Sequence, residues 1–350
     1  MTTPAPYPSA EAPPEGRATA PLVSVVIPAY NRASTIGAAI ESVLRQTWTD
    51  FELVIVDDGS EDGTLAAAAA VADPRIRLID GRVNRGASAA RNRGAAEARG
   101  TWIAFQDSDD EWLPEKLEKQ MARLTADTAD FVAGYCGLLT LGWIDDAPDT
   151  RLSVRYVPGP SATPAEGDIR APLLWDNMIS TQTLVVRRDI FHALGGFDAR
   201  LPAFEDWDFA IRLAGAGRVA FVDEPLVHQR FSGNSLTRNR AAKLEARIRL
   251  VAQNRAAFAK APALLARQYR YIADACLRER GDSTEARRWL VQALRADAAN
   301  PKSLYHGIRL ATRWMRMGWP LATGHALAEP APVAARQAAV VSRPASRASK

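Results

Sequence analysis

Four acids lie within five positions of the sequence, directly after a short apolar run. Asp107, Asp109, Asp110 and Glu111 follow the residues TWIAF. Like charges this close repel one another, so the cluster requires either full hydration or a bound cation. A few carboxylates, completed by the phosphates of a ligand, are the usual site for Mg²⁺ or Mn²⁺. The cluster therefore predicts a divalent-cation site that is shared with a phosphorylated ligand.

The acids follow segments that have the pattern of buried strands. Asp57 and Asp58 come directly after the apolar run FELVIV, and PLVSVVIPAY is an earlier run of the same kind. Helical patterns separate these runs, and the alternation of strand and helix over about 100 residues predicts a parallel sheet with helices on both faces. Ligands of such sheets bind at the carboxyl ends of the strands, which is where both groups of acids lie.

Standard nucleotide-binding motifs are absent or incomplete. No G-x-G-x-x-G follows the first predicted strand, which disfavours a dinucleotide-binding dehydrogenase. Gly81 and Gly86 have the spacing of a P-loop, but Ala87 stands where that loop requires Lys. DSDDEW is no EF-hand loop, because Trp112 occupies the position that needs Gly. The remaining possibility is a cation site that is completed by the phosphates of the ligand.

Five segments, in this order, resemble the family 2 glycosyltransferases. They are VSVVIPAYNR, SVLRQTWTDFELVIVDDGSEDGT, NRGASAARNRG, FQDSDDEW and FEDWDFAIRL, and they fall between Val23 and Thr237. The resemblance implies the A-type glycosyltransferase fold, with a mostly parallel, Rossmann-like α/β sheet, here followed by a C-terminal α-helical appendage. It also implies inverting transfer of a sugar from a nucleotide-diphosphate donor, usually UDP- or GDP-linked. The expected cofactor is Mn²⁺ or Mg²⁺, and the expected acceptor is a hydroxyl of a glycan or lipid-linked sugar, as in cell-surface polysaccharide assembly.

The resemblance also implies roles for individual residues. The residues expected to contact the donor are Pro28, Ala29, Tyr30, Asn31, Asp57, Asp58, Arg85, Arg91, Asn92 and Asp107. Asp107 and Asp109 match the D-x-D pair that holds the metal and the ribose, and Asp110 is a further candidate for that task. Asp206 matches the general base, with Glu205 close to the acceptor hydroxyl.

Sugar transfer requires these residue types on chemical grounds as well. A divalent ion offsets the charge of the departing diphosphate, and the acceptor alcohol needs a carboxylate base. Phe204 and Trp207 flank the predicted base, and partial burial against them would raise the pKa of Asp206. Taken singly, Glu205 and Asp206 also fit ordinary first-turn acids of a helix, and the acids after FELVIV fit a strand end and turn. The occurrence of all five motifs in this order favours a catalytic site over these separate explanations.

One segment departs from the family pattern. Many relatives carry Y-x-R-x-H after the last strand of the core, whereas this chain has VHQRFSGNSLT. Arg230 matches the Arg and is expected to contact the diphosphate, but Ser232 stands at the position of the His. His228, four residues earlier, is left open as either a substitute ligand or a structural histidine.

Composition divides the chain into four parts. Residues 1–20 are rich in Pro and Ala and indicate a disordered leader, not a signal peptide. The catalytic domain is expected at 21–239, a helical region at 240–320 and a disordered basic tail at 321–350. The formal net charge of +4 conceals an excess of 20 Lys and Arg over 7 Asp and Glu after Arg240. Either an arginine-rich helix surface or a specific anionic partner explains this excess.

The basic region leaves two interpretations open. The segment YHGIRLATRWMRMGW either packs against the catalytic domain or lies on an anionic membrane surface beside a lipid-linked acceptor. No apolar run is long enough to span a bilayer, and Cys136 and Cys276 match no metal or redox spacing. We therefore expect a cytoplasmic protein, with peripheral contact at the inner face of the membrane as an option, and no nucleic-acid partner.

Two rival functions differ in what they need. A nucleotidyltransferase also combines an α/β sheet with acidic metal ligands, but it requires a basic glycine-rich loop after the first strand, and PAYNRAST lacks one. A non-catalytic nucleotide-sugar-binding scaffold, which would use the helical tail for binding, has no chemical need for both the D-x-D pair and Asp206. Glycosyl transfer is therefore the favoured prediction.

Overall fold

The computed structural model describes residues 20–126, 130–143, 152–159, 165–230 and 240–298, together with residues 301, 304, 305, 308 and 312. Residues 1–19 of the predicted leader, the predicted tail at 321–350 and Ser232 lie outside these residues. Most of the segment predicted to contact either a membrane or the domain also lies outside them.

The first half of the chain forms the parallel sheet that the sequence predicts. Its strands are β1 (Val23–Ala29), β2 (Phe51–Asp57), β3 (Ile76–Asp80) and β4 (Trp102–Phe105), and its helices are α1 (Ile36–Leu44), α2 (Thr64–Ala69) and α3 (Ala87–Glu97). Every residue of β1 and β2 is buried, as expected for strands that are covered on both faces. The strand order β3-β2-β1-β4 brings the carboxyl ends of these strands to one edge.

The order of the strands creates a crevice beside β1. The chain moves outward from β1 through β2 to β3 and then returns to pair β4 with the opposite side of β1. Such a reversal of strand order opens a ligand crevice at the carboxyl ends of the two strands concerned. Ala29, Asp57 and Asp80 are register partners at that edge, so the acids that follow separate strands are brought level with one another.

The second half of the sheet is mixed. Its strands are β5 (Glu111–Trp112), β6 (Phe131–Trp143), β7 (Leu152–Val157), β8 (Val185–Arg187) and β9 (Arg218–Arg230). Strand β8 runs antiparallel to both β4 and β6, and β9 runs parallel to β6 and antiparallel to β5. The regular alternation of strand and helix stops after β4, so the sequence pattern predicts the strands here but not their directions.

The remaining helices cover the sheet and extend beyond it. They are α4 (Lys116–Leu124), α5 (Arg170–Trp175), α6 (Arg188–Ala193), α7 (Glu205–Ala216), α8 (Arg240–Gln253), α9 (Arg255–Ala259), α10 (Pro262–Arg280) and α11 (Ser283–Ala296). A 3₁₀ turn, Thr181–Thr183, precedes β8. No helix in the described part of the chain combines the length and the apolar character that a bilayer crossing requires.

Helices α8 to α11 share their core with the catalytic sheet. Leu244, Ile248 and Ile272 belong to the same buried cluster as Phe209 of α7. A buried polar contact reinforces this packing, because the Asn254 side chain donates to Asp208 of α7 at 2.7 Å. These four helices therefore pack on the domain that carries the candidate site.

Helix α3 lies unusually close to the sheet at Gly94. A Cβ atom at this position would lie 2.4 Å from Cγ1 of Val26 and 3.2 Å from Cγ2 of Val56. The absence of a side chain at Gly94 therefore sets the distance between α3 and β1. This distance matters for the site, because α3 also carries Arg91.

We expect Gly94→Ala to lower the free energy of unfolding by about 2 kcal/mol, since the added methyl group overpacks the contact between α3 and β1. Chemical denaturation followed by circular dichroism measures this change. Gly37→Ala in α1 is the matched control, because nothing lies within 4 Å of a Cβ there. It should be neutral or stabilising by up to about 1 kcal/mol. Equal stability of the two variants would contradict the proposed close contact.

Candidate active site

The D-x-D acids lie in a tight turn after β4. The Asp110 N–H donates to the Asp107 carbonyl at 3.3 Å, and the Gln106 side chain donates to the Asp110 carbonyl at 2.8 Å. The Asp107 and Asp109 side chains keep 22% and 24% of their surface exposed, so both are accessible to a ligand. The turn therefore presents two carboxylates at the crevice beside β1.

Asp110 differs from its two neighbours. It is buried, and its Oδ2 accepts a hydrogen bond from the Gln182 side chain at 2.9 Å. The Gln182 carbonyl in turn accepts from the indole N–H of Trp112 at 3.0 Å. In this conformation Asp110 anchors the turn to the chain segment before β8, and Asp107 and Asp109 are the exposed pair.

Arg91 of α3 joins two parts of the predicted site. Its Nη2 lies 2.7 Å from Asp107 Oδ1, and its Nη1 lies 3.0 Å from Glu205 Oε1 at the start of α7. The guanidinium is buried, which by itself lowers its pKa, but the two carboxylates outweigh burial and raise it. Glu205 is 114 positions away from Arg91 in the chain. One buried cation thus joins Asp107 of the predicted metal pair to Glu205, the neighbour of the predicted base in the chain.

Arg32 is a second cation beside the acids. Its Nη2 lies 3.5 Å from Asp109 Oδ2. Burial and the negative charge of Asp107 raise the pKa of Asp109, whereas Arg32 and Arg91 oppose this shift. Sequence reasoning did not single out Arg32, although it directly follows Asn31 in the motif that carried the resemblance.

The predicted base lies at the first turn of α7. Phe204, which precedes the helix, has a left-handed backbone with a φ of 63°, a strained conformation for a bulky residue. Asp206 is half-buried, and its Oδ1 accepts from the Trp207 N–H at 2.7 Å. Burial, followed by the charge of Glu205, raises the pKa of Asp206 to about 7, and a hydrogen bond from the Asn177 side chain acts in the opposite direction. Asn177 was not predicted from the sequence.

The acids after β2 have different surroundings. Asp58 Oδ1 accepts from the Arg85 N–H at 3.0 Å, and Oδ2 accepts from the Gly86 N–H at 2.8 Å. Burial raises the pKa of Asp58. Asp57 accepts from the Ser60 N–H, but its Oδ1 is buried and has no partner among the described residues. A buried acceptor of this kind is suited to an N–H or O–H donor of a ligand.

Four of the residues predicted to contact the donor, at positions 28–31, divide into two pairs. Pro28 and Ala29 are the buried last residues of β1. Tyr30 is 40% exposed, and Asn31 has a left-handed backbone with a φ of 50°. Asn31 receives a hydrogen bond from the Glu61 N–H at 2.9 Å, which ties the loop after β1 to the loop after β2.

The other predicted donor contacts are more scattered. Both polar atoms of the Asn92 side chain bond the backbone of Phe197, at 2.7 and 2.9 Å, so this residue connects α3 to the segment before α7. Arg85 is exposed in the loop before α3. Arg230 ends β9, where its backbone pairs with Leu141, but its side chain lies outside the described part of the structure.

His228 pairs with Glu111 across β5 and β9. It is a half-buried strand residue in this arrangement. Its alternative role as a ligand stays a prediction.

The carboxylates of the site suit a metal ion whose coordination is completed by a bound ligand. Among the described residues, no three His, Cys, Asp or Glu side chains are placed to hold a metal ion by themselves. Asp107 and Asp109 supply two carboxylates, and Mg²⁺ or Mn²⁺ is commonly held by one or two carboxylates together with substrate phosphates. The residues present therefore suit a shared site better than a protein-only cage.

The strand order, the acidic turn and the carboxylate at the start of α7 define the A-type glycosyltransferase fold. The structure of the mannosyltransferase PcManGT from Pyrobaculum calidifontis, in complex with GDP-Man and Mn²⁺, has a TM-score of 0.55 to this chain at 20% identity. The similarity covers 86% of this chain and 82% of PcManGT. At this level of identity the comparison supports the fold alone, and the predicted fold is confirmed.

Sequence comparison identifies the family. The glycosyl transferase family 2 profile matches residues 24–166. The uncharacterized glycosyltransferase RP339 of Rickettsia prowazekii is 30% identical over 226 residues, which are 64% of this chain and 69% of RP339. The chain belongs to glycosyl transferase family 2, as the five motifs predict.

A further relative is more similar over a shorter length. WfgD of Escherichia coli, a UDP-Glc:alpha-D-GlcNAc-diphosphoundecaprenol beta-1,3-glucosyltransferase, is 42% identical over 113 residues. These residues are 32% of this chain and 45% of WfgD. The match thus spans less than half the length of that curated relative.

Arg91→Met should lower the free energy of unfolding by about 2 kcal/mol, because it leaves two partly buried carboxylates without their shared cation. Thermal and chemical denaturation in the absence of ligand measure this loss. Arg45→Met is the control, since Arg45 forms only an exposed pair with Glu41 on α1. That change should cost less than about 1 kcal/mol. A loss of the same size in both variants would show that the Arg91 bridge has no special role in stability.

Proposed function

We propose that the chain is an inverting glycosyltransferase that moves a sugar from a nucleotide-diphosphate sugar, UDP-linked in the first instance, to a hydroxyl of a glycan or lipid-linked acceptor. The proposed setting is cell-surface polysaccharide assembly at the inner face of the membrane. The observation that carries the proposal is the Arg91 bridge, which joins Asp107 of the exposed D-x-D pair to Glu205 at the start of α7, next to Asp206 in the chain.

The donor side of the proposal rests on Asp107 and Asp109. These carboxylates would hold Mn²⁺ or Mg²⁺, which when bound offsets negative charge on the diphosphate as it leaves. The complex of PcManGT with GDP-Man and Mn²⁺ and the UDP-Glc in the name of WfgD support this choice of donor and metal. The unpartnered Oδ1 of Asp57 would accept a hydrogen bond from the nucleoside.

Asp58 has a positioning role in this proposal. Its two oxygens bond the backbone of the loop before α3, so the carboxylate holds that loop against the end of β2. The loop leads into the helix that carries Arg91. Asp58 would therefore shape the donor site through the backbone of its neighbours.

The acceptor side rests on Asp206. The acceptor oxygen attacks the anomeric carbon, the bond from that carbon to the diphosphate oxygen breaks, and Asp206 takes the hydroxyl proton. Attack from the face opposite the leaving group inverts the configuration. A base with a pKa of about 7 is well matched to this step near neutral pH, because about half of it is ionised there and the carboxylate is still basic enough to accept the proton.

Neither rival function gains support from a specific feature of the structure. The loop from Ala29 to Ile36 contains no glycine, so it does not supply the glycine-rich phosphate loop expected of a nucleotidyltransferase. A non-catalytic scaffold would not need a half-buried carboxylate with a raised pKa at this site. Loss of turnover on changing Asp206 separates an enzyme from such a scaffold.

A panel of UDP-, GDP- and dTDP-sugars tests the donor. We expect one class to raise the melting temperature only when Mn²⁺ or Mg²⁺ is present, because the cation and the diphosphate bind together. Asp109→Asn should remove most of the metal-dependent part of this shift. Glu115→Gln, at an exposed acid beside α4, is the control and should leave it unchanged. Failure of every nucleotide sugar to bind with metal would refute the proposed function.

Asp206→Asn should lower kcat by at least about 100-fold while donor binding survives, since the amide cannot accept the hydroxyl proton. Steady-state transfer assays and calorimetric titration with the donor measure the two quantities separately. In the wild type, kcat/KM should fall about tenfold per pH unit below pH 7, because protonated Asp206 is inactive as a base.

The same Glu115→Gln variant provides the control for turnover, and its pH profile should match that of the wild type. Wild-type turnover by Asp206→Asn would rule out the assignment of the base. A kcat/KM that stays level from pH 7 down to pH 5 would also count against Asp206 as the titrating group.

A further inference from the structure

A group of aromatic and arginine side chains lies beside the proposed base, on the side formed by the C-terminal helices. We name it the aromatic–arginine cluster, and its members are Trp175, Phe204, Trp207, Arg247, Arg267 and Tyr271. Phe204 and Trp207 flank Asp206 in the chain, and their rings lie 5.6 Å apart. Asn177, two residues after Trp175, is near enough to the Asp206 carboxylate to lower its pKa. The cluster is therefore directly adjacent to the carboxylate.

Arg247 of α8 is surrounded by three aromatic rings. Its guanidinium carbon lies 5.1 Å from the ring centre of Phe204, 5.2 Å from that of Trp207 and 5.2 Å from that of Tyr271. Its Nη1 donates to the Gln268 side chain at 2.7 Å. Within the described residues, its Nε and Nη2 make no hydrogen bond, and the guanidinium has no ion pair. These two donors are available to a ligand.

Arg267 of α10 occupies the outer part of the cluster. Its guanidinium carbon lies 3.9 Å from the ring centre of Trp175 and 4.9 Å from that of Tyr271. It donates to the Trp175 carbonyl, and its Nη2 lies 3.3 Å from the Tyr271 hydroxyl. It forms no ion pair with a carboxylate in the described part of the chain. Trp175 and Tyr271 are each 45% exposed, so the cluster opens to solvent.

The two guanidinium groups share one aromatic ring without a shared anion. Both lie over Tyr271, and the charge of Arg267 helps to lower the pKa of Arg247, after burial as the main cause. Asp176 favours the charged form of Arg247 but is not within ion-pair distance. Two partly desolvated cations held near each other are unfavourable unless an anion joins them. This arrangement therefore favours the binding of a negatively charged ligand.

The residue types specify the chemistry of that ligand. Guanidinium groups match the geometry of phosphate oxygens, and two of them offset the two charges of a phosphate monoester. Exposed Trp and Tyr rings provide flat apolar surfaces for the C–H face of a sugar, and their polar edges remain solvated. We propose that the aromatic–arginine cluster is the acceptor subsite and that it binds a sugar carrying a phosphate group. This inference rests on the proposed function, because Asp206 must be the base that faces the acceptor.

The main competing explanation is structural. Arg247 and Arg267 could serve only to attach α8 and α10 to the domain through cation–π contacts. In that case a phosphorylated sugar has no preference for the cluster, and removal of either charge affects stability alone. Ligand binding with the donor site already filled separates the two explanations.

The experiment uses the full chain and α-D-glucose 1-phosphate as the probe, measured by isothermal titration calorimetry. Saturating UDP and Mn²⁺ are present throughout, so that the donor site is occupied. We expect the probe to bind at least about tenfold more tightly than methyl α-D-glucoside, since charge-assisted hydrogen bonds contribute more than neutral ones. Methyl α-D-glucuronide tests whether a carboxylate serves equally well, and it should bind more weakly than the phosphate.

Two variants test the arginines separately. Arg247→Gln and Arg267→Gln should each weaken binding of the probe by about tenfold or more and leave binding of UDP with Mn²⁺ unchanged. Arg287→Gln, at an exposed position of α11, removes one charge from the same helical region and should have no effect. Circular dichroism checks the fold of each variant, and Arg267→Gln alone decides the question if Arg247→Gln does not fold.

Several results would overturn the subsite. These are equal affinity for the phosphate and the neutral glucoside, or tighter binding of the glucuronide. Wild-type affinity in Arg267→Gln would also overturn it. Failure of the proposed function is distinguishable, because it shows itself as the absence of UDP and Mn²⁺ binding in the unmodified chain.

Discussion

The candidate site depends on one buried cation, Arg91, held between two carboxylates. A guanidinium in this position is stable only if anions surround it, and Asp107 and Glu205 provide them from the end of β4 and the start of α7. Since these elements are distant in the chain, the ion pairs link the turn that carries Asp107 to the start of the helix that carries Asp206, the proposed base. Gly94 supports the same geometry, because it allows α3 to approach β1 closely.

The C-terminal helices are part of the same structure. Asn254 bonds Asp208 of α7, and Arg247 packs against Phe204 and Trp207, the aromatic residues on either side of Asp206 in the chain. The proposed base therefore lies at the start of a helix that contacts α3 through Glu205 and the helical region through Asp208. The basic helices thus place side chains beside the candidate site, and they need not form a separate domain to do so.

Much of the fold follows from local patterns. Strands β1 and β2 are continuous apolar runs, and burial on both faces leaves them few alternatives. Strand β8 has only three residues, and its antiparallel pairing with both β4 and β6 is decided by contacts between distant segments. The predicted parallel half is therefore confirmed, whereas the mixed half could not be predicted from periodicity.

The sequence by itself determined the family and the A-type fold, because the order of the acidic motifs, the glycines and the apolar runs is a property of the chain alone. The tertiary structure decided which polar atoms are left for a ligand. Asp110 and Asn92 are satisfied by Gln182 and by the Phe197 backbone, whereas Asp57 Oδ1 has no partner in the described residues. The physical reason is that a hydrogen bond requires two groups to meet, and here the second group comes from a remote part of the chain.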